Sequence, residues 1–434
     1  MLWGIAFFNY ADRQAVFSLF PLLQRDMHLT PVELGMLGSS FAIVYGLASP
    51  LAGHIVDRVK RKVAILGGLY IWSLICMGTA LAQTFSHLLF FRAAEGLGET
   101  FYYPASTSLI GDYHGIRTRS RALGLLVTAV YMGTIAGGFA AGFIGEHYGW
   151  RRTFLIFGSL GIVLGFFLNR YVREAPRGAA DREDLETGAI PADELSPSAI
   201  ANPAPSPAAK VSFADFLRAI AHTPTAWILM GAFLCANFVA MVLLSWMPKF
   251  LYDRYHLGLA WAGLAATVFV QLASTVGSPL GGWMADRLRQ RRPGGRLLVQ
   301  ALGVLAGAPF VFLCGMTHSF VWLAVALTAW GLFKGMYDAN IFASLFDVIP
   351  AETRGAATGM MNMVGWLGGG GTGPVVIGLL AEHYGLGVAI AATSVVYCMA
   401  GALLIIGALL FARRDTALME EHVRQSALAA TAQA

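Results

Sequence analysis

Charge is what this sequence has least of. Its 434 residues hold 30 Lys+Arg and 25 Asp+Glu, 13% of the chain, where a soluble globular protein carries about 25%. That scarcity excludes a soluble enzyme and a disordered protein. Cysteine is scarce too. Cys76, Cys235, Cys314 and Cys398 show no metal or redox spacing, and the chain is too apolar for a secreted disulfide scaffold. All four fall inside apolar runs, where buried packing thiols are expected. The ten histidines are scattered, mostly at predicted helix ends or in loops. No clustered nucleophile–base or metal set marks an enzyme, so no catalytic residues, metal or organic cofactor are expected.

What is present is apolar. Hydrophobic residues make up 56% and glycine 50 positions, with a mean hydropathy of +0.61. Spanning helices of about 20 residues would bury that surface in lipid. Twelve candidate spans follow: 2–23, 33–56, 62–82, 87–113, 120–147, 152–171, 225–251, 259–285, 297–316, 320–348, 355–383 and 387–411. The first is not a signal peptide, because Asp12 and Arg13 stand at its centre and no small-residue cleavage site follows. The fold class is an all-α, multi-pass membrane protein.

The pI near 9.0 is explained by orientation. With a cytoplasmic N-terminus, only Arg25, Arg151, Arg152, Lys249 and Arg254 fall outside, and Arg13, Arg92 and Lys334 lie within the membrane. Every other basic residue is cytoplasmic, as the positive-inside rule requires with both termini inside. Nucleic acid is not needed as a partner. The plasma membrane or a bacterial inner membrane is the expected location, and a monomer the expected state.

Residues 1–171 form one group of six spans and 224–411 a second. Between them, 172–223 is rich in proline and acidic residues and reads as a cytoplasmic linker. Within it, 211–221 has the spacing of a short helix lying on the membrane surface. Residues 412–434 form a charged cytoplasmic tail. The halves repeat. Ser49–Arg58 (SPLAGHIVDR) recurs as Ser278–Arg287 (SPLGGWMADR). Gly96, Glu99, Asp112, Arg119 and Gly124 meet Gly331, Lys334, Asp347, Arg354 and Gly359. Glu146-His147-Tyr148-Gly149 meets Glu382-His383-Tyr384-Gly385, and Asn9 and His28-Leu29 meet Asn237 and His256-Leu257. Two pseudo-symmetric six-helix bundles of the same orientation have the architecture of a major facilitator transporter.

Several residues carry candidate chemistry. Gly53, Asp57, Arg58, Arg61 and Lys62 sit where span two meets the cytoplasm, with Asp286 and Arg287 at the equivalent place. They resemble the superfamily's gating signature, with Lys60 where glycine is typical. Positive-inside anchoring is the plainer reading. Glycine runs on span five (Gly133, Gly137, Gly138, Gly142) and span eleven (Gly368 to Gly371, Gly373, Gly378) allow close packing. Charge inside the membrane is the sharper signal, since each such group is costly unless paired or hydrated. Asp12 and Arg13 lie near mid-span, and Arg92, Glu95 and Glu99 share one face of span four. They read either as a proton-sensitive carboxylate set with cations for an anionic substrate, or as a permanent network of Arg13–Glu99 and Arg92–Glu95 pairs. Glu95 reads as a helix-joining partner. Lys334 is a candidate substrate contact, though Asp338 one turn on could neutralise it. The second half is otherwise apolar where a cavity should be (Phe233, Phe238, Met241, Phe342, Met361 and Trp366 among others), which suits an amphipathic ligand.

The first half resembles the Spinster family of this superfamily. Phe8-Asn9-Tyr10-Ala11-Asp12-Arg13, Pro21-Leu22-Leu23-Gln24, Asp57-Arg58, Arg92 to Glu99, Arg119 to Ala122 and Val172 to Gly178 carry the likeness. The chain departs from it at Ala175 and Phe101-Tyr102. The resemblance implies proton-linked transport of lysophospholipids or sphingosine-1-phosphate-like lipids, with Asp12 and Glu99 as protonation candidates and Arg13 and Arg92 as headgroup and gating partners. The NYxDR element also resembles organic-anion symporters, so a sugar-acid, organic-anion or drug carrier stays open as an alternative. A non-transporting receptor would not need two equivalent gating motifs.

Overall fold

In the computed structural model the chain is described over residues 1–56, 58–115, 118–176, 179–180, 220, 223–350, 353–419 and 421. Asp57 of the gating motif and nearly all of the expected surface helix over 211–221 lie outside these residues. Every regular element among the described residues is helical, and ten helices are long and apolar enough to cross a membrane. The other two spans are each broken into a pair of helices. Span one is Leu2–Ser18 and Phe20–Met27, and span four is Phe85–Glu99 and Tyr102–Tyr113. These are the two spans that carry most of the interior charge.

Local chemistry sets the ends. Span two begins at Pro31 behind a capping box: the Glu33 amide donates to Thr30 Oγ1 at 3.2 Å and the Thr30 amide to Glu33 Oε2 at 2.8 Å. The first helix of span four stops directly after Glu99, where Thr100 Oγ1 turns back onto the Gly96 carbonyl at 2.6 Å. Span eleven loosens into a π-helical turn, Gly365–Gly370, within its glycine run. The helix of span twelve continues through 411 as far as Met419. The segment expected to begin the tail is therefore helical. Its Asp415 is buried and accepts the Thr225 amide at 2.9 Å, tying the end of span twelve to the start of span seven.

The repeat is visible in the backbone. His28 and His256 close their helices in the left-handed region, each at φ 53°, and Gly149 and Gly385 take φ 84° and 81° before the next span. It is visible in the side chains too. Arg61 pairs with Asp112 at 2.8 Å and Arg296 with Asp347 at 2.9 Å. Arg119 donates to the Gly111 carbonyl at 3.1 Å and Arg354 to the Phe346 carbonyl at 3.3 Å.

The halves meet at the end opposite these motif loops. Span two lies on span eleven, where the Val32 amide donates to Glu382 Oε1 at 3.4 Å. Span five lies on span eight, where a Cβ on Gly138 would come 2.8 Å from the Gly263 carbonyl oxygen. The glycine runs are thus close-packing surfaces between the halves as well as within them. At the motif end a Cβ on the equivalent glycines Gly53 and Gly282, or Gly124 and Gly359, would meet nothing within 4 Å among the described residues. The close backbone approaches between the halves, Gly35 on Pro374, Gly378 on Pro31 and Gly138 on Gly263, gather at the end opposite the motif loops.

Candidate functional site

Five spans converge on the buried charges. Gly133 and Gly137 of span five let span one in so closely that a Cβ on either would strike the backbone of Phe7 or Ala11. Gly96 does the same between spans four and two, where a Cβ would stand 2.7 Å from the Phe41 carbonyl oxygen. These approaches bring Asp12 and Arg13 of span one, Phe41 and Tyr45 of span two, Cys76 of span three, and Arg92, Glu95 and Glu99 of span four together.

Arg13 donates to Glu99 Oε2 from Nε at 3.0 Å and from Nη2 at 2.6 Å. Arg92 pairs with Glu95 on its own helix and donates from Nη2 to the Arg13 carbonyl at 3.1 Å. Both ion pairs anticipated as a helix-joining network are therefore present. Asp12 has neither arginine as an ion-pair partner. Adjacent residues project about 100° apart on a helix, and Asp12 turns to span three, where the Cys76 thiol donates to Oδ1 at 3.0 Å. The cluster holds three carboxylates and two guanidinium groups, and Asp12 is the carboxylate left over. All five charged side chains are buried. Asp12 Oδ2, Glu99 Oε1, Arg13 Nη1 and Arg92 Nε have no protein partner, so the network has polar capacity left for a ligand, water or a proton.

The Arg13 guanidinium is ringed by aromatic groups. Its carbon lies 4.7 Å from the ring centres of Tyr10 and Phe41, 5.0 Å from Tyr45 and 5.5 Å from Trp366, within cation–π range. Trp366 is the contribution of the second half, held on the π-helical turn of span eleven and packed on Tyr45 at 4.9 Å. Such turns frequently mark functional positions.

Cys76, Phe41 and Tyr45 are the members of this site that sequence reasoning missed. An isolated cysteine in an apolar run carries no signal of its own. Phe41 and Tyr45, one helical turn apart, could have been flagged as a possible cation cage by their spacing. The expectation that all four thiols are buried fails at Cys398, which is exposed on the surface of span twelve. A residue's place in an apolar run does not say which face of the helix it occupies. Asp12, Cys76 and Glu95 offer ligand atoms within 4.8 Å of one another, but the guanidinium of Arg92 already rests on Glu95, where a metal would need the carboxylate.

Lys334 pairs with Asp338 on its own helix, within electrostatic reach of Tyr131 on span five. At the motif end Arg61 joins Asp112, Glu174 at 3.8 Å and Ser108 Oγ at 3.1 Å. In the second half Asp286 pairs with Arg296 at 2.6 Å, and Asp347 with Arg296 and with Arg289 at 3.0 Å. Arg58 is exposed, and Arg287 stacks over Trp283 at 5.6 Å.

Known proteins fit this arrangement. Human protein spinster homolog 1 is 28% identical over 408 residues, 88% of this chain and 72% of its own length. A probable galactarate/D-glucarate transporter of Escherichia coli is 25% identical over 403 residues, 89% of this chain and 86% of its own. The hexuronate transporter of Bacillus subtilis is 24% identical over 382 residues, 87% and 86% of the two chains. Among solved structures, a bacterial homolog of the human lysosomal transporter Spinster, inward-facing and unoccupied, superposes with a TM-score of 0.80. It is 20% identical, with 94% of this chain and 96% of that one covered, a likeness of fold. The sequence model of the Major Facilitator Superfamily matches residues 2–370 and 262–430. With its twelve helical spans in two repeated halves around a buried charged centre, the chain belongs to the Major Facilitator Superfamily, as a multi-pass membrane transporter with a Spinster-like sequence and not an enzyme.

Proposed function

We propose that the chain carries an amphipathic anion with a lipid tail, of the lysophospholipid or sphingosine-1-phosphate type, together with protons. With both termini taken as cytoplasmic, the close contact between the halves at the opposite end supports an inward-facing reading, and the halves would rock about the central cluster. The observation that carries the reading is the Arg13 site. A guanidinium held by Glu99, with Nη1 left unpartnered, sits inside an aromatic cage that both halves complete. A phosphate on Arg13 would compete with Glu99 for the same cation. The released Glu99 would then take up a proton, because an unpaired carboxylate at this depth is costly. Asp12, already without a guanidinium, is the second proton carrier, with the Cys76 thiol as its hydrogen-bond donor. The tail would lie along Phe233, Phe342 and their neighbours in the second half, whose rings pack at 5.8 Å.

A second reading is a sugar-acid or organic-anion carrier. The two bacterial sugar-acid transporters favour it, each matched over 86% of its length. Uptake of labelled lysolipid and labelled hexuronate into proteoliposomes, with and without a pH gradient, separates the two. The lipid reading expects lysolipid uptake that rises with the gradient and loses that dependence in Asp12→Asn. Preference for hexuronate overturns the substrate, and gradient-independent uptake unchanged by Asp12→Asn overturns the coupling.

A further inference from the structure

The second half has a basic groove at its motif end, away from the central charged cluster. A cavity of about 530 Å³ lies between the loop after span eight, the first turn of span nine and the ends of spans ten and twelve. Arg289, Arg291, Arg292 and Arg296 line it against only two acids, Asp286 and Asp347. Arg296 and Arg289 are engaged with those acids. Arg291 and Arg292 are exposed and, among the described residues, enter no ion pair with them. Gly294 makes the turn possible. It sits at φ 77°, and a Cβ there would come 3.0 Å from the Ala408 carbonyl oxygen, so the loop folds tightly onto span twelve and its arginines are held over the cavity.

A second cavity of about 420 Å³ continues the first, sharing Asp286, Gln290 and Arg291 and adding Trp283 and Arg287. From Trp283 an exposed apolar stripe runs along span eight through Leu280, Val276 and Leu272, one face of the helix by its spacing. The groove is therefore basic at one end and opens onto a lipid-facing stripe at the other, with Arg287 over the Trp283 ring between them. A soluble phosphate compound would use the arginines alone, whereas an anionic lipid already lying against span eight would use the arginines and the stripe together.

We infer that this groove binds the headgroup of an anionic phospholipid of the surrounding bilayer, with its phosphate on Arg291 and Arg292 and its acyl chains along Trp283 and Leu280. Basic pockets at the membrane surface recognise such headgroups. The inference does not depend on what the central site transports. An occupant would lie against Arg296, which Asp286 and Asp347 share, so the lipid would bear directly on the ion pairs of the second gating motif.

The test uses the full chain in detergent, titrated with phosphatidylglycerol or phosphatidylcholine, with bound lipid counted by native mass spectrometry. The wild type is expected to retain phosphatidylglycerol in preference, and the Arg291→Gln/Arg292→Gln variant to lose that preference roughly thirtyfold. Arg170→Gln/Arg173→Gln, which removes the same charge from the first half, is expected to leave it intact. Equal retention of the two lipids, or equal loss in both variants, overturns the site in favour of unspecific attraction. Displacement of the lipid by inorganic phosphate or by tail-free glycerophosphoglycerol at similar concentration overturns the lipid assignment in favour of a free phosphate compound.

Discussion

The two halves share a backbone and a set of ion pairs at the motif end but not an interior. His28 and His256, Gly149 and Gly385, and the pairs Arg61–Asp112 and Arg296–Asp347 are equivalent in position and geometry. Inside, Asp12 and Arg13 correspond to Ala240 and Met241, Arg92 to Leu327, and Glu95 to Trp330. Only Glu99 meets another charge, and it is of the opposite sign, Lys334. The backbone turns and the ion pairs at the motif end have stayed duplicated. The buried charge is concentrated in one half, and the other answers with aromatic and apolar surface. The difference teaches that the ion pairs at the helix ends and the charge of the interior are separable layers of this fold.

The largest expected effect tests that separation in the first half. Arg13→Gln leaves Glu99 buried without its cation and should cost about 3–5 kcal/mol of stability, read as a lowered unfolding temperature in detergent. Adding Glu99→Gln should restore most of the stability while lysolipid uptake stays lost. A stable single variant would show that the pair is not the joint the geometry makes it.

The gates provide a direct comparison. Arg61 holds Asp112, Glu174 and Ser108, while Asp347 keeps Arg289 at 3.0 Å when Arg296 is removed. Arg61→Ala should therefore cost about 3 kcal/mol and Arg296→Ala about 1–2 kcal/mol. The reverse ranking would mean that the second gate is the one the protein relies on.

The smallest effect concerns Lys334 and Asp338, whose side chains are 19% and 37% exposed. Replacing both, as Lys334→Met/Asp338→Leu, should change stability by no more than about 1 kcal/mol and leave uptake near wild type. A large loss of uptake in the double variant would give the second half a charge with a role in substrate binding and weaken the contrast between the halves.

Much of this was legible along the chain. Scarce charge and apolar runs of spanning length gave the class, and paired motifs gave the two halves, because burial in lipid and internal duplication both leave marks on consecutive residues. Arg92, Glu95 and Glu99 could be placed on one helix face by spacing alone. The departures came where one helix meets another. Cys398 faces outward and Cys76 inward, although both sit in similar apolar runs. The helix of span twelve persists past 411 because Asp415 finds the Thr225 amide, a partner on another span.

By itself, then, the sequence determined that this is a twelve-span membrane transporter of repeated halves, and which charges its interior must accommodate. Those properties follow from composition and local periodicity. Tertiary structure alone decided which carboxylate is left without a guanidinium, which thiol meets it, and which aromatic rings enclose Arg13. Such pairings depend on how far each helix is turned about its axis. That rotation is set by contacts between distant residues, here Gly133 and Gly137 against Phe7 and Ala11. They press span one into place and leave the adjacent side chains of Asp12 and Arg13 facing different neighbours.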